Sequence, residues 1–218
     1  MVKLNIIIAG VEGQGVELAG DILGDVVLEV GLDVRKAGTQ VTTPHEGSVI
    51  THLRIGEDVA SPSSGEGEAD ILLAFEKGEA ARCSEYLRNG GIAIVNDMAV
   101  PPPSVNPGSE AYPDDEQILY LLSRRSAEVM AVDASLRAAE LGNPDVLSSV
   151  MLGTLSMLTP FNPGLWEKAI ARKSPPGTLD VNLEAFRTGR REMLRVLDGI
   201  PGEGGCSSHE HEDDCGCH

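Results

Sequence analysis

Lys3-Leu4-Asn5-Ile6-Ile7-Ile8-Ala9-Gly10-Val11-Glu12-Gly13-Gln14-Gly15-Val16 is the stretch that decides the fold. Lys3 to Ala9 is a short β-branched run that reads as a buried strand. Gly10 to Gly15 breaks it with turn chemistry. Val16, Leu18, Ala19, Ile22, Leu23, Val26 and Val27 then recur at helical spacing, and Gly31 stops the helix. Backbone N–H groups at a helix start that faces a glycine turn form a ready anion site, which the helix dipole favours. The dinucleotide fingerprint G-x-G-x-x-G is only approximated. Glycines fall at 10, 13 and 15, and Glu12 occupies the middle position, where a pyrophosphate must approach closely. Arg35 and Lys36 stand where the ribose-binding acid is expected. A nicotinamide site is therefore disfavoured. The turn is left to pack the helix on the sheet, to hold another phosphate, or to seat a partner loop, and Gly10, Glu12, Gly13, Gln14 and Gly15 are its candidate cofactor-binding residues.

Outward from this unit, Leu32 to Lys36 reads as a second strand and Ala37 to Gly47 as a polar loop. Ser48 to Ile55 alternates as a sheet strand. Asp70 to Phe75 is a buried strand, Glu76 to Leu87 an amphipathic helix ended by Asn89-Gly90-Gly91, and Ile92 to Val95 the next strand. Val100 to Pro113 holds five prolines and no periodicity, a long loop of the kind that often carries function. Glu116 to Leu122 reads as a helix, Glu128 to Val132 as a strand and Ala134 to Leu141 as a helix. Asn143 and Pro144 open a helix over 145–158. Leu165 to Ala171 and Leu183 to Leu197 are helical. Alternation of this kind predicts a three-layer α/β/α sandwich, Rossmann-like, with a mostly parallel or mixed sheet and a helical C-terminal segment.

The 218 residues carry a formal charge of −17, with 41% hydrophobic and 3% aromatic residues. The core must be aliphatic. The negative field opposes phosphate backbones and anionic lipid, so neither nucleic acid nor a membrane surface is an expected partner. No apolar run reaches the roughly 18–20 residues that span a bilayer, and the N-terminal run is too short for a signal peptide, so a cytoplasmic location is expected. The charge is uneven. Residues 1–160 hold 24 acids and 10 bases, residues 161–198 five acids and seven bases, and residues 199–218 five acids and no base. The arginines Arg187, Arg190, Arg191 and Arg195 of the last helix are expected to meet an acidic partner surface.

This division places a domain over 1–198 and a glycine-rich linker with an acidic, disordered tail over 199–218. Cys206, His209, His211, Cys215, Cys217 and His218 crowd the tail. Four such ligands complete a tetrahedral site, but the spacing matches no common finger, so the tail is either a solvated extension or a His/Cys-rich tract for a divalent metal. Cys83 falls in a helical pattern as a small apolar filler.

Four stretches in order carry a resemblance. Ile6 to Gly15 resembles the G-V-G-G-Q-G opening of the gamma subunit of 2-oxoacid:ferredoxin oxidoreductases, a domain shared with the beta subunit of indolepyruvate:ferredoxin oxidoreductase. Gly47-Ser48-Val49-Ile50-Thr51-His52-Leu53-Arg54-Ile55, Glu68 to Glu76 and Asn182 to Gly189 are similar to its R-G-G-S-V-x-S-x-V-R-I, A-D-x-L-L-x-F-E and N-x-x-A-F-x-x-G segments. The resemblance implies a non-autonomous subunit of a complex that converts a 2-oxoacid (pyruvate-, branched-, aryl- or 2-oxoglutarate-like) to an acyl-coenzyme A. Thiamine diphosphate and iron–sulfur clusters would then lie on partner subunits and ferredoxin would take the electrons. Consistent with that, the sequence has no run of closely spaced cysteines of the kind that holds an iron–sulfur cluster and no Gly-Asp-Gly of a thiamine motif, so no cofactor is expected on this chain alone, and no catalytic residue is named. His45, Gly47 and Ser48 join the candidate coenzyme-binding residues by position, although His45-Glu46-Gly47 replaces the family's Arg-Gly-Gly and so removes a natural anion clamp. Two other readings stay open: a stand-alone nucleotide- or coenzyme-binding domain, and a metal-binding protein acting through the tail.

Overall fold

The computed structural model describes residues 2–41, 47–57, 59–101 and 112–199, with the side chains of 39–41 left aside. His45 and the six tail ligands, Cys206, His209, His211, Cys215, Cys217 and His218, lie outside the described residues.

Ile6, Ile7, Ile8 and Ala9 are all fully buried in β1 (Leu4–Val11). A strand covered on both faces reads as a continuous apolar run because alternate side chains enter opposite cores. Ile6 and Ile8 join one core and Ile7 and Ala9 the other. Around β1 lie β2 (Asp33–Val41), β3 (Ser48–Gly56), β4 (Ala69–Ala74), β5 (Leu87–Asn96) and β6 (Ser126–Val132), in the spatial order β2-β3-β1-β4-β5-β6. β1, β4, β5 and β6 run parallel, and β3 is antiparallel to both β1 and β2. The sheet is therefore mixed.

Helices cover both faces. α1 (Val16–Glu29), α4 (Ala134–Glu140), α5 (Leu147–Ser156), α6 (Pro163–Lys173) and α7 (Leu179–Leu197) pack on one. α2 (Lys77–Arg82) and α3 (Asp115–Ser123) cover the other. The expected three layers are present, and the last third of the chain closes one of them. α5 is buried along its whole length. It crosses α7 through two glycines, where the backbones nearly touch. A Cβ on Gly153 would fall 2.1 Å from the Phe186 carbonyl oxygen, and one on Gly189 1.9 Å from that of Val150.

Several expected boundaries shift. Residues 37–41 belong to β2 instead of a loop, because β3 offers a full ladder from Ala37↔His52 to Val41↔Ser48. The helix expected over 76–87 ends at Arg82. A 3₁₀ turn over Ser84–Tyr86 follows, and Leu87 already pairs with Ala69. Asn89-Gly90-Gly91 thus lies inside β5 and does not end a helix. Gly90 has φ +79° and donates its N–H to the Arg125 carbonyl at 2.8 Å, where the ladder to β6 is irregular. The helix expected from 145 begins as a 3₁₀ turn over Pro144–Val146, with the Asn143 side chain accepting the Asp145 N–H at 3.1 Å.

The glycine crossing makes a direct prediction. Gly153→Ala or Gly189→Ala overpacks α5 against α7 and lowers unfolding free energy by about 1–3 kcal/mol or more. Gly24→Ala, in the interior of α1 with nothing within 4 Å of the added carbon, raises it by about 0.5–1 kcal/mol. Urea unfolding monitored by circular dichroism reads both. Equal effects of Gly153→Ala and Gly24→Ala would refute the close crossing.

Candidate functional site at the crest of the sheet

The carboxyl ends of β1, β4, β5 and β6 share one end of the sheet with the start of β3. After β1 the chain turns to one face through α1, and after β4 to the other through α2. Such a switch point opens a crevice outside the strand ends, where ligands of open α/β sheets bind. The Gly10–Gly15 loop lies there, and so do Gly47 and Ser48, because Val11 pairs with Ser48 in register. Seven of the eight candidate coenzyme-binding residues therefore come together at the crest, and His45 is the one outside the described residues.

The loop itself is closed upon the protein. Gly13 and Gly15 adopt φ of +86° and +81°, conformations that favour glycine. The Val11 N–H donates to Gln14 Oε1 at 2.9 Å, the Glu12 N–H to the Gly47 carbonyl at 2.5 Å and the Gln14 N–H to the Val11 carbonyl at 3.2 Å. Gln14 Nε2 reaches the Phe75 carbonyl at 3.4 Å. Three N–H groups that an open loop would present to a phosphate are thus consumed. The first turn of α1 keeps N–H groups without intrahelical partners, but Glu12 and Glu17 stand exposed beside them.

Ser48 is buried and donates to Glu79 Oε2 at 2.7 Å, and the Arg82 guanidinium donates to both. Glu76, the N-cap of α2 just after β4, is 2% exposed. Its carboxylate accepts the Glu79 N–H at 2.7 Å, the Val100 N–H at 2.9 Å and the Tyr112 hydroxyl. One carboxylate therefore caps α2 and ties down both flanks of the proline-rich stretch. Burial and the Glu76 carboxylate push the Tyr112 hydroxyl above the usual phenol range. Asn96, fully buried at the end of β5, donates to the Phe75 carbonyl at 2.9 Å and to Ser135 Oγ at 2.7 Å. The sequence reading did not single out Glu76, Asn96 or Tyr112 as site residues. A carboxylate at a helix start is a legible cap signal, whereas Tyr112, 36 residues away, has none.

The described residues do not fit an iron–sulfur cluster. Cys83 is the cysteine among them, and it is fully buried. Burial and the Glu79 charge push its thiol up to about 12. It is an inert filler. No group of three or more His, Cys, Asp or Glu side chains suited to a metal occurs among the described residues. His52 is buried away from the loop, accepts the Ser64 N–H on Nδ1 at 3.3 Å and stands edge-on to Tyr86 at 5.2 Å. Burial lowers its pKa, so it is a neutral structural residue. A cavity of about 490 Å³ opens at the other end of the sheet, lined by Lys3, Asn5, Arg54 and Glu57 among others, away from the loop.

Residues 5–192 match the family described as pyruvate ferredoxin/flavodoxin oxidoreductase. The chain is 36% identical over 200 residues to the indolepyruvate oxidoreductase subunit IorB of Thermococcus kodakarensis, covering 90% of this chain and 99% of that one. It is 30% identical over 203 residues to the 2-oxoglutarate synthase subunit KorC of Methanothermobacter thermautotrophicus, covering 88% and 96%. The keto/oxoacid ferredoxin oxidoreductase gamma subunit of Geobacter sulfurreducens shares the fold, with a TM-score of 0.65 at 21% identity over 88% of this chain and 98% of that one.

The Glu76 network predicts that Glu76→Gln costs about 1–3 kcal/mol. An amide must turn an NH₂ toward a donor that the carboxylate satisfied. Equilibrium unfolding measures the loss, and a change below about 0.5 kcal/mol, the usual spread for innocuous surface substitutions, would show that the carboxylate does not hold α2 and the flanks of the proline-rich stretch together.

Proposed function

The chain belongs to the pyruvate ferredoxin/flavodoxin oxidoreductase family, and on that premise we propose that it is the smaller, non-autonomous subunit of a ferredoxin-dependent 2-oxoacid oxidoreductase acting on an aryl 2-oxoacid. The observation that carries this reading is the match to IorB subunits over 85–91% of this chain and 95–100% of theirs. Those of Thermococcus kodakarensis, Pyrococcus horikoshii, Archaeoglobus fulgidus and Methanothermobacter thermautotrophicus are 33–37% identical, whereas the KorC subunits stand at 28–30%.

In the assembled enzyme the 2-oxoacid carboxylate would leave as carbon dioxide, the remaining acyl group would join the sulfur of coenzyme A as the thiol proton is released, and two electrons would pass one at a time to ferredoxin. Thiamine diphosphate and the iron–sulfur clusters supply that chemistry from partner subunits. This chain contributes a rigid crest: the closed glycine loop, the Ser48–Glu79–Arg82 cluster and the Glu76 clasp present a preformed wall to the partner. A stand-alone nucleotide-binding domain draws no support from a loop whose Val11, Glu12 and Gln14 N–H groups are already bonded. Among the described residues no helix is long and apolar enough to cross a membrane, and a cytoplasmic complex is the location that fits the reading.

Purification of the affinity-tagged chain from its native host is expected to bring down a thiamine- and iron-containing partner. Recovery of the chain with no such partner would contradict the reading.

The tail adds an independent proposal: Cys206, His209, His211, Cys215, Cys217 and His218 take up a divalent, zinc-like ion, because soft and borderline donors crowd a short acidic stretch. Zinc titration of the full chain is expected to show at least one more equivalent bound than a 1–199 truncation. Equal stoichiometry would remove the tail from any metal role.

A further inference from the structure

The arginines of α7 are the sequence's candidate for a partner contact, but each already has a partner within the chain. Arg187 bonds Glu167 at 3.0 Å, Arg191 bonds Glu184 at 2.7 Å, Arg195 lies 4.0 Å from Glu192, and Arg190 donates to Ser156 at 2.8 Å. That face offers little unbalanced charge.

The crest differs. Lys77 is the one ammonium shared by Asp97, at 2.9 Å, and Asp115, at 2.8 Å. Glu12, Glu17 and Glu116 are exposed at the same end, and no salt bridge involves them among the described residues. Exposed apolar side chains lie among these acids: Leu18 on the first turn of α1, Met98 just after β5 and Leu136 on α4 are 36%, 36% and 44% exposed. These groups form one surface because hydrogen bonds join their anchors in a row. Gln14 reaches the Phe75 carbonyl, Asn96 reaches the same carbonyl and Ser135, Ser135 Oγ contacts Met98 Sδ at 3.1 Å, and the Lys77 N–H donates to the Met98 carbonyl at 2.9 Å.

We infer that this crest, and not the α7 face, is the surface by which the chain docks, and that its partner is a basic patch with an apolar centre on the thiamine-bearing subunit. The inference rests on the function proposed above and specifies the contact. Charge complementarity selects the occupant: two carboxylates sharing one lysine, with three more exposed at the same end of the sheet, reject an acidic surface and attract a basic one. Exposed apolar side chains at the same end as these carboxylates supply the apolar contact that an interface needs beside its polar rim. The same field opposes anions. The coenzyme and the 2-oxoacid must therefore be held chiefly by cationic groups of the partner, with this chain closing the acidic side of the site.

The test measures binding of the full chain to the purified partner subunit at two salt concentrations. Glu12→Lys/Glu116→Lys reverses two exposed carboxylates that have no salt-bridge partner among the described residues, and is expected to raise Kd by about tenfold or more and to flatten its salt dependence. Leu136→Asp is expected to raise Kd similarly. Arg187→Glu/Arg191→Glu is expected to leave Kd within about twofold, since those side chains are already paired. Far-UV circular dichroism confirms folding, and because the reversed positions are exposed and unpaired, a variant that misfolds there would itself contradict the placement. Unchanged binding of the crest variants, or a loss confined to the α7 variant, would overturn the inference while leaving the subunit reading intact. Failure of the unmodified chain to bind any thiamine-bearing partner would instead overturn the proposed function.

Discussion

The structure depends on the absence of a side chain at residue 10. A Cβ there would lie 2.7 Å from Gln14 Oε1, 2.8 Å from Val16 Cγ2 and 2.9 Å from Phe75 Cβ. The end of β1, the start of α1 and the end of β4 therefore meet at one point with no space to spare. Because Gly10 lets them close in, Gln14 can bond the Val11 N–H and the Phe75 carbonyl together, and Phe75 in turn receives Asn96 from β5. The crest is a chain of contacts built outward from a missing methyl group. The loop that looks like a phosphate cradle thus also ties β1 to α1 and to the end of β4, and the Val11, Glu12 and Gln14 N–H groups are bonded within the protein.

The central part of this was legible and the periphery was not. The apolar run Ile6 to Ala9, the glycines that follow and the helical spacing from Val16 state β1, the loop and α1 locally, and the mixed three-layer sheet with its helical C-terminal cover follows from repeating that reading. β2 is longer than expected because Gly38, Thr39 and Gln40 carry no strand signal of their own. They are extended because β3 lies alongside. The helix expected to continue through Leu87 stops because Leu87 pairs with Ala69, and Gly91 admits the Asp70 carbonyl to within 3.1 Å of where a Cβ would be. Those facts belong to a neighbouring strand, which no local pattern encodes.

The site shows the same division. The glycine loop, Gly47 and Ser48 were recognisable by order and type, and the register of β1 with β3 places them side by side. Glu76 and Tyr112 become partners only through tertiary folding. Charge was the most instructive case. Four arginines on one helix look like an interface in the sequence, yet their carboxylate and hydroxyl partners come from α6, the end of α5 and α7 itself. An acidic patch lies instead at the crest, spread over residues between 12 and 116 that no window would group. The overall −17 is thus uneven: five of its acids lie in 199–218, and the crest is one acidic patch on the folded body.

The central claim is that this chain is one part of an enzyme whose redox centres lie on another. Reconstitution tests it most directly. The thiamine-bearing partner at fixed concentration would be titrated with this chain, following electron transfer from an aryl 2-oxoacid to ferredoxin. The account predicts no turnover by this chain alone, turnover that rises with added chain and saturates at a fixed ratio, and a preference for the aryl 2-oxoacid over 2-oxoglutarate. Turnover by this chain alone, or a partner whose rate is indifferent to its addition, would contradict it.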